Sequence, residues 1–209
     1  MDSESGMSQL ISGYRSFRAG RWRVEQARYE TLAKAGQTPK TLVVACSDSR
    51  SDPAMIFNAS PGELFVVRNI AAIVPPLEID GAHHGTTAAI AFAVVVLNVG
   101  NILVMGHAQC GGIAAALGDM VGDEVPALRS WIALLDPAVA RIDRSAHGDA
   151  RQECLERDSV LLSMERLESY PFIAERIRAG TLEINGARFG IADGNLEVFD
   201  RTTGAFRVV

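Results

Sequence analysis

Cysteine is scarce in this chain: Cys46, Cys110 and Cys154 are the only three, an odd and widely spaced set with no disulfide framework among them. A reducing compartment is the expectation. Positive charge is not in excess either. Twenty Lys and Arg stand against 25 Asp and Glu, a formal net charge of −5, which offers no electrostatic footprint for nucleic acid and no attraction to an anionic membrane. The local cluster Arg15, Arg18, Arg21, Arg23 and Arg28 reads as a solvated or partner-paired helix face. No apolar run is long enough to span a bilayer, and the longest, residues 88–99, stops at Gly100-Asn101. Residues 1–13 open with acidic and small polar side chains where a secretory leader would carry a basic and then an apolar stretch. A soluble cytoplasmic protein is expected. Repeats, linkers and low-complexity segments are missing too, and 209 residues with 48% apolar content suit a single domain with a substantial core.

Hydrophobic periodicity places two amphipathic helices first. Leu10, Ile11, Tyr14 and Phe17 fall at helical spacing, followed by residues 22–35 with Val24, Tyr29 and Leu32, ending at Gly36. Residues 41–45 form a short, β-branched apolar run, the signature of a strand buried on both faces of a parallel sheet, and residues 64–67 and 102–105 repeat it. The alanine-rich residues 86–97 are long enough for a crossover helix, so the pattern is strand–helix–strand and the fold class is α/β. Helices over 113–117, 127–135, 151–168 and 171–178 cover the sheet. Residues 181–185, 187–192 and 196–199 alternate about Asp193-Gly194, which signals strands at a sheet edge.

Chemistry concentrates in two motifs, Cys46-Ser47-Asp48-Ser49-Arg50 and His107-Ala108-Gln109-Cys110-Gly111-Gly112. Taken singly, Cys46 and Cys110 are ordinary buried cysteines. Each lies just past a strand, however, and Cys110 is joined to His107 by a spacing that presents both side chains to one ion. Two thiolates and an imidazole suit zinc, and with no fourth Cys or His at ligand spacing the site keeps an open corner for a water that the metal acidifies. Cys154 has no such neighbours and reads as a structural thiol. On an extended or turning segment residues 46, 48 and 50 share a side. Asp48 then accepts the hydrogen bond of the metal-bound nucleophile while Arg50 keeps it ionised, a larger role than that of a surface ion pair. Two thiolates cancel the charge of zinc, which makes its water a weaker acid and favours alkaline pH.

Topology follows from the same residues. Cys46 ends the first strand and His107 the third, and both must reach one ion within about 2.0–2.3 Å. Those strands are neighbours, which pushes the second to the far side of the first. The predicted fold is therefore a mostly parallel sheet of order 2-1-3-4 with an antiparallel edge strand, flanked by helices, the site at the switch point beyond the strand ends. Residues 1–36 form an N-terminal helical arm, and residues 37–209 the α/β domain that carries the metal. Gly111 and Gly112 admit two readings, small residues at a helix start or close approach of backbone to a ligand. Phe65, Ile70 and Phe92 read as core, and His83, His84 and His147 as surface or cap residues. Residues 106–112 fit neither a dinucleotide nor a Walker motif, and the zinc deaminase signature is missing.

These motifs resemble the bacterial and plant-like β-class carbonic anhydrases with an open active site, whose hallmark is C-x-D-x-R followed by H-x-x-C and a glycine pair. The resemblance extends through Gln37-Thr38-Pro39-Lys40, Gly62-Glu63-Leu64-Phe65-Val66-Val67-Arg68-Asn69, Val74-Pro75-Pro76 and His84-Gly85-Thr86, covering most of residues 8–200. It implies reversible hydration of carbon dioxide to bicarbonate and a proton by zinc-bound hydroxide, with zinc on Cys46, His107 and Cys110. It implies a homodimer or dimer-based oligomer assembled through the arm, and a substrate oxygen held by the Gly111 N–H and by Gln37 of the partner subunit. Phe65, Ile70 and Phe92 match positions of a small apolar pocket. Departures are Ala91 where Glu or Gln is common, Ala72 where Asn is frequent, and Ala108-Gln109 in place of Ser or Thr with a small or polar residue. They spare the ligands and alter pocket detail and rate. In one subgroup a bicarbonate pocket with a Trp three residues before the first Cys turns the Asp into a fourth zinc ligand. Here Val43 stands at that position, and although Arg68 matches another pocket member, an aliphatic side chain lacks the indole donor. That lock is expected to be absent. Alternatives on the same site are hydrolysis of carbon disulfide or carbonyl sulfide and a catalytically inactive, zinc-stabilised binding oligomer; intact Asp48, Arg50 and Gln37 count against the latter.

Overall fold

A computed structural model describes residues 5–78, 80, 83–118, 125–143, 145 and 147–209, so the first four residues of the arm lie outside the described residues. The chain divides into two units, one up to Gln37 and one from Thr38. In the first, α1 (Gly6–Ala19) starts at Ser5, whose hydroxyl accepts the Ser8 N–H at 3.3 Å. It is followed by α2 (Arg21–Ala35), which ends at Gly36 with φ +78°. Phe17 meets Trp22 and Tyr29 edge-on at ring distances of 6.1 and 6.3 Å. The Arg18 guanidinium lies 4.8 Å over the Trp22 ring and Arg21 pairs with Glu25 at 2.8 Å, so these two members of the arginine cluster are partnered on the helix face. No residue of α1 or α2 is buried, and Leu10, Tyr14 and Val24 stand exposed.

The second unit runs β1 (Thr41–Cys46), α3 (Pro53–Ile56), β2 (Leu64–Asn69), α4 (Gly85–Ala91), β3 (Asn101–His107), α5 (Gly111–Ala116), α6 (Pro126–Ile132), α7 (Asp136–Val139), α8 (Gly148–Ser169), α9 (Pro171–Arg178), β4 (Glu183–Phe189), β5 (Leu196–Asp200) and β6 (Ala205–Val208). Sheet order is β2-β1-β3-β4-β5-β6. The first four strands are parallel, and β5 and β6 add on antiparallel. The predicted order 2-1-3-4 stands, and the antiparallel edge is two strands wide instead of one. β6 gives little signal because it is short, largely exposed and interrupted by Arg207; its entry is marked by Gly204 at φ +68°.

Leu42, Val44, Ile102, Val104 and Ile184 face α4, α8 and α9 through Ile90, Val94, Val160, Leu167, Tyr170 and Ile173. Val43, Ala45, Met105 and Ala187 point the other way, onto Ile56, Phe57 and Val198. The crossover helix runs as expected but ends in a π-helical stretch, Phe92–Val96, closed by the Leu97 N–H on the Phe92 carbonyl at 3.0 Å. Residues 181–185 and 187–192 were expected as separate strands, yet β4 is continuous through Gly186. That glycine marks a contact: a Cβ there would come within 2.8 Å of Val160 Cγ1, and one at Gly106 equally close to Val160 Cγ2. The two glycines let α8 press onto β3 and β4. Among the described residues no helix is long and apolar enough to cross a membrane.

Candidate metal centre

Because β1 and β3 are adjacent and parallel, their last residues, Cys46 and His107, arrive side by side. Gln109, at φ +53°, turns the chain back so that Cys110 opens α5 beside them. The two sulfurs lie 3.9 Å apart, and the three donor atoms fall within 4.8 Å of one another. All three residues are buried. His107 Nδ1 meets the Ala108 carbonyl at 2.9 Å, which assigns the proton to that nitrogen. Nε2 is left buried without a hydrogen-bond partner among the described residues. An orphaned acceptor of this kind is costly unless something binds it. A tetrahedral ion with metal–sulfur bonds of about 2.3 Å spans a sulfur–sulfur edge of about 3.8 Å, close to the distance found. The donor set therefore fits a tetrahedral divalent metal.

The protonation states agree. The hydrogen bond from Cys110 holds the Cys46 thiol well down, and the same bond, with burial, pushes Cys110 well up. A cation between the sulfurs would take both as thiolates, releasing whatever protons they carry. Burial pulls His107 down, but the adjacent Cys46 sulfur and the Ala108 carbonyl outweigh it and leave its pKa raised.

Beyond Cys46 the chain enters a 3-10 turn, Ser49–Ser51, capped by Asp48, whose Oδ1 accepts the Arg50 N–H at 2.9 Å. Arg50 folds back with Nη2 at 2.6 Å from Asp48 Oδ2 and Nε at 3.0 Å from Oδ1. This pairing holds the Asp48 carboxyl far below the ordinary carboxylate range. Asp48 Oδ2 also stands 4.0 Å from His107 Nε2, so the carboxylate borders the corner the metal would fill. Arg50 further donates to the Gln109 carbonyl at 3.3 Å, tying the two motifs together.

A family model described as carbonic anhydrase matches residues 41–196, and beta carbonic anhydrase 3 of Arabidopsis thaliana is 36% identical over 210 residues, 96% of this chain and 80% of the relative. The chain belongs to the β-class carbonic anhydrase family. A carbonic anhydrase of Pseudomonas aeruginosa is 32% identical over 202 residues, covering 96% of this chain and 90% of its own. The solved structure of the β-carbonic anhydrase CcaA matches with a TM-score of 0.92 at 30% identity, covering 99% of this chain and 93% of that one. A tetrameric β-carbonic anhydrase of Sordaria macrospora matches with a TM-score of 0.80 at 29% identity, covering 98% and 100%.

In this β-carbonic anhydrase fold the cluster opens on a cavity of about 400 Å³ lined by Cys46, Ser47, Asp48, Ile70, Gly111, Gly112, Ala115, Leu128 and Ile132. The two glycines separate here. A Cβ at Gly112 would come within 2.7 Å of Ile70 Cγ2 and 2.9 Å of Ala71 Cβ, whereas one at Gly111 meets nothing within 4 Å. Gly112 is small for packing, and Gly111 faces open space at the cavity wall. Ile70 lines the cavity. Phe65 and Phe92 do not: they stack on each other at 5.8 Å, and Phe65 pairs with Leu42, four residues before Cys46 and so about 13 Å back along the strand. Gln37 is exposed and is the last residue of the helical unit.

One departure, Ala72, acquires a structural meaning. Ala71 and Ala72 both adopt left-handed backbone, φ +63° and +55°, a conformation Asn tolerates better than Ala. The kink is held by the Asn69 side chain, which accepts the Ile73 N–H at 2.9 Å and donates to the Ile73 carbonyl at 2.8 Å. Nothing in the structure explains Ala91. Cys154, expected as a structural thiol, is exposed on α8. His83 and His84 line a neighbouring cavity, with His84 bonded to Asp80 at 2.7 Å and raised by that bond, and His147 is exposed at the start of α8.

Arg68 has different work from that of an anion-pocket residue. It donates to the Cys46 carbonyl at 2.8 Å, the Asp48 carbonyl at 2.6 Å and the Asp52 carboxylate at 2.9 Å, bracing the turn that carries Cys46 and Asp48. The sequence reading missed this brace and also a buried Glu156–Arg188 pair behind Cys110. Their one signal was a charged residue set into an otherwise apolar strand or helix face.

Proposed function

We propose that the chain is a zinc enzyme, a lyase that interconverts carbon dioxide and bicarbonate plus a proton. The observation that carries this reading is the buried Cys46, His107 and Cys110 triad, with its unpartnered imidazole nitrogen aimed at a corner that Asp48 borders. Zinc held there would supply the acidification that makes water a nucleophile near neutral pH. Asp48, kept ionised by Arg50, is an acceptor only, so it would accept a hydrogen bond from the attacking nucleophile and leave a lone pair facing the substrate carbon. The Gly111 N–H and the partner subunit's Gln37 donate to a substrate oxygen. Ile70 supplies the apolar wall within the chain, and Phe65 and Phe92 serve as lining only through assembly with another copy. A cytoplasmic setting, which keeps the ligand thiols reduced, belongs to the same proposal.

The test is stopped-flow carbon dioxide hydration with zinc quantified. We expect one zinc per subunit and activity that rises toward alkaline pH, because two thiolates leave the metal's water less acidic than a three-histidine site would. Zinc-loaded protein that does not accelerate hydration would refute the reading.

Assembly through the arm is part of the proposal, supported by its uncovered Leu10, Tyr14 and Val24. Deleting residues 1–36 is expected to abolish folding or assembly, checked by circular dichroism and light scattering. A soluble, active monomer would disprove it.

A further inference from the structure

We propose that the buried Glu156–Arg188 ion pair is a positioning device for the Cys110 ligand. The proposal rests on the metal-binding reading of Cys46, His107 and Cys110. Glu156 and Arg188 side chains are 2% and 10% exposed. A pair so buried contributes little to stability that well-packed apolar residues would not, since desolvation offsets most of the attraction. Its geometry shows another use. Glu156 Oε1 accepts the Cys110 N–H at 3.4 Å and Gln152 Nε2 at 3.2 Å, and the same Gln152 nitrogen lies 3.5 Å from the Cys110 carbonyl. Both backbone polar groups of Cys110 are thus met by side chains of α8.

Arg188 sets the carboxylate in place. Its Nε and Nη2 lie 2.9 and 2.8 Å from Glu156 Oε2, and its Nη1 reaches Glu197 at 3.3 Å. Arg188 sits opposite Gly106 on β3, the position whose missing Cβ admits Val160, one helical turn after Glu156. The close approach of α8 therefore delivers the carboxylate to the back of the His107–Cys110 turn. On the cavity side Arg50 holds the Gln109 carbonyl. The turn is clamped from both sides, as a tetrahedral site built from two separate strand ends requires.

The test is zinc affinity by chelator competition, with the thiolate-to-cobalt absorption of the cobalt-substituted protein as a second readout. In Glu156→Met/Arg188→Met both charges leave together, so no orphan charge remains, but the Cys110 N–H loses its acceptor. Zinc affinity is expected to fall roughly 10- to 100-fold with a shifted cobalt band. Glu156→Gln/Arg188→Met keeps an acceptor oxygen and should recover most of the affinity. If the first variant does not fold, Gln152→Ala serves on the same clamp, with an expected loss of about threefold. A folded Glu156→Met/Arg188→Met protein, or in its place Gln152→Ala, with the parent's zinc affinity and cobalt spectrum overturns the proposal. Neither readout uses carbon dioxide, so a failure to hydrate it leaves this inference standing, whereas a parent protein that binds no zinc sinks both.

Discussion

Replacing Cys110 by Ser is expected to remove metal and activity together. The hydroxyl offers zinc a hard, protonated oxygen where the thiolate gave a soft anion, and Cys46 with His107 alone cannot close three corners of a tetrahedron. The loss should be nearly complete. Cys110 also belongs to an apolar cluster with Ile73, Ile113 and Leu135, so folding must be followed in parallel by circular dichroism. Cys154→Ser, at an exposed position on the same chain, is the control and should retain both metal and activity. Elemental analysis decides the matter: full zinc occupancy in Cys110→Ser would show that the ligand set has been misassigned.

Asp48→Asn should keep zinc and lose turnover, on the order of 100-fold. The amide preserves size and one acceptor but presents a donor toward the nucleophile and gives up the charge that Arg50 neutralises at 2.6 Å. Zinc content separates this outcome from metal loss, and a variant with parental turnover per zinc would remove Asp48 from the mechanism. The pH dependence has a definite sign. Asp48 is depressed below its ordinary value of 3.8 by the Arg50 hydrogen bonds, so it stays charged throughout the range above that value, and the pairing is lost only as the pH falls through the lower, folded value. Loss of activity between about pH 8 and pH 6 must then come from the metal's water, which titrates near neutrality or above. The same pairing predicts that a crystal structure of the zinc form at about pH 8 keeps Asp48 on Arg50. An Asp48 oxygen bonded to zinc at about 2.0–2.2 Å would contradict it. Val43, buried among Ala45, Met105 and Ala187, has no donor for an anion that would favour such a switch.

Much of this was legible in the residues themselves. The β-branched runs that became β1, β2 and β3, the helical spacing of α8 and α9, and the two strand-end motifs require only local periodicity and ligand chemistry. The strand order followed as well, because one ion cannot be reached from distant strands. Other features needed the packed chain. Gly186 read as a break between two strands and proved to be the point where Val160 meets the sheet. Phe65 and Phe92 looked equivalent to Ile70 as pocket residues, yet the register of β2 on β1 sets Phe65 back from the site and leaves the two rings stacked on each other. Gly111 and Gly112 were indistinguishable until Ile70 and Ala71 closed on one of them alone.

By itself the sequence determined the fold class and the strand order, and it singled out Cys46, His107 and Cys110 as candidate donors beside Asp48 and Arg50, because these depend on residue type, spacing and the reach of a metal bond. Only the tertiary structure decided how those donors are held. The brace of Arg68 on the Cys46 and Asp48 carbonyls and the Glu156–Arg188 pair behind Cys110 both join residues far apart in the chain. Their partners are set by the approach of α8 to β3 and β4 and by the register of the sheet, and a contact between distant segments leaves no periodic trace in either one.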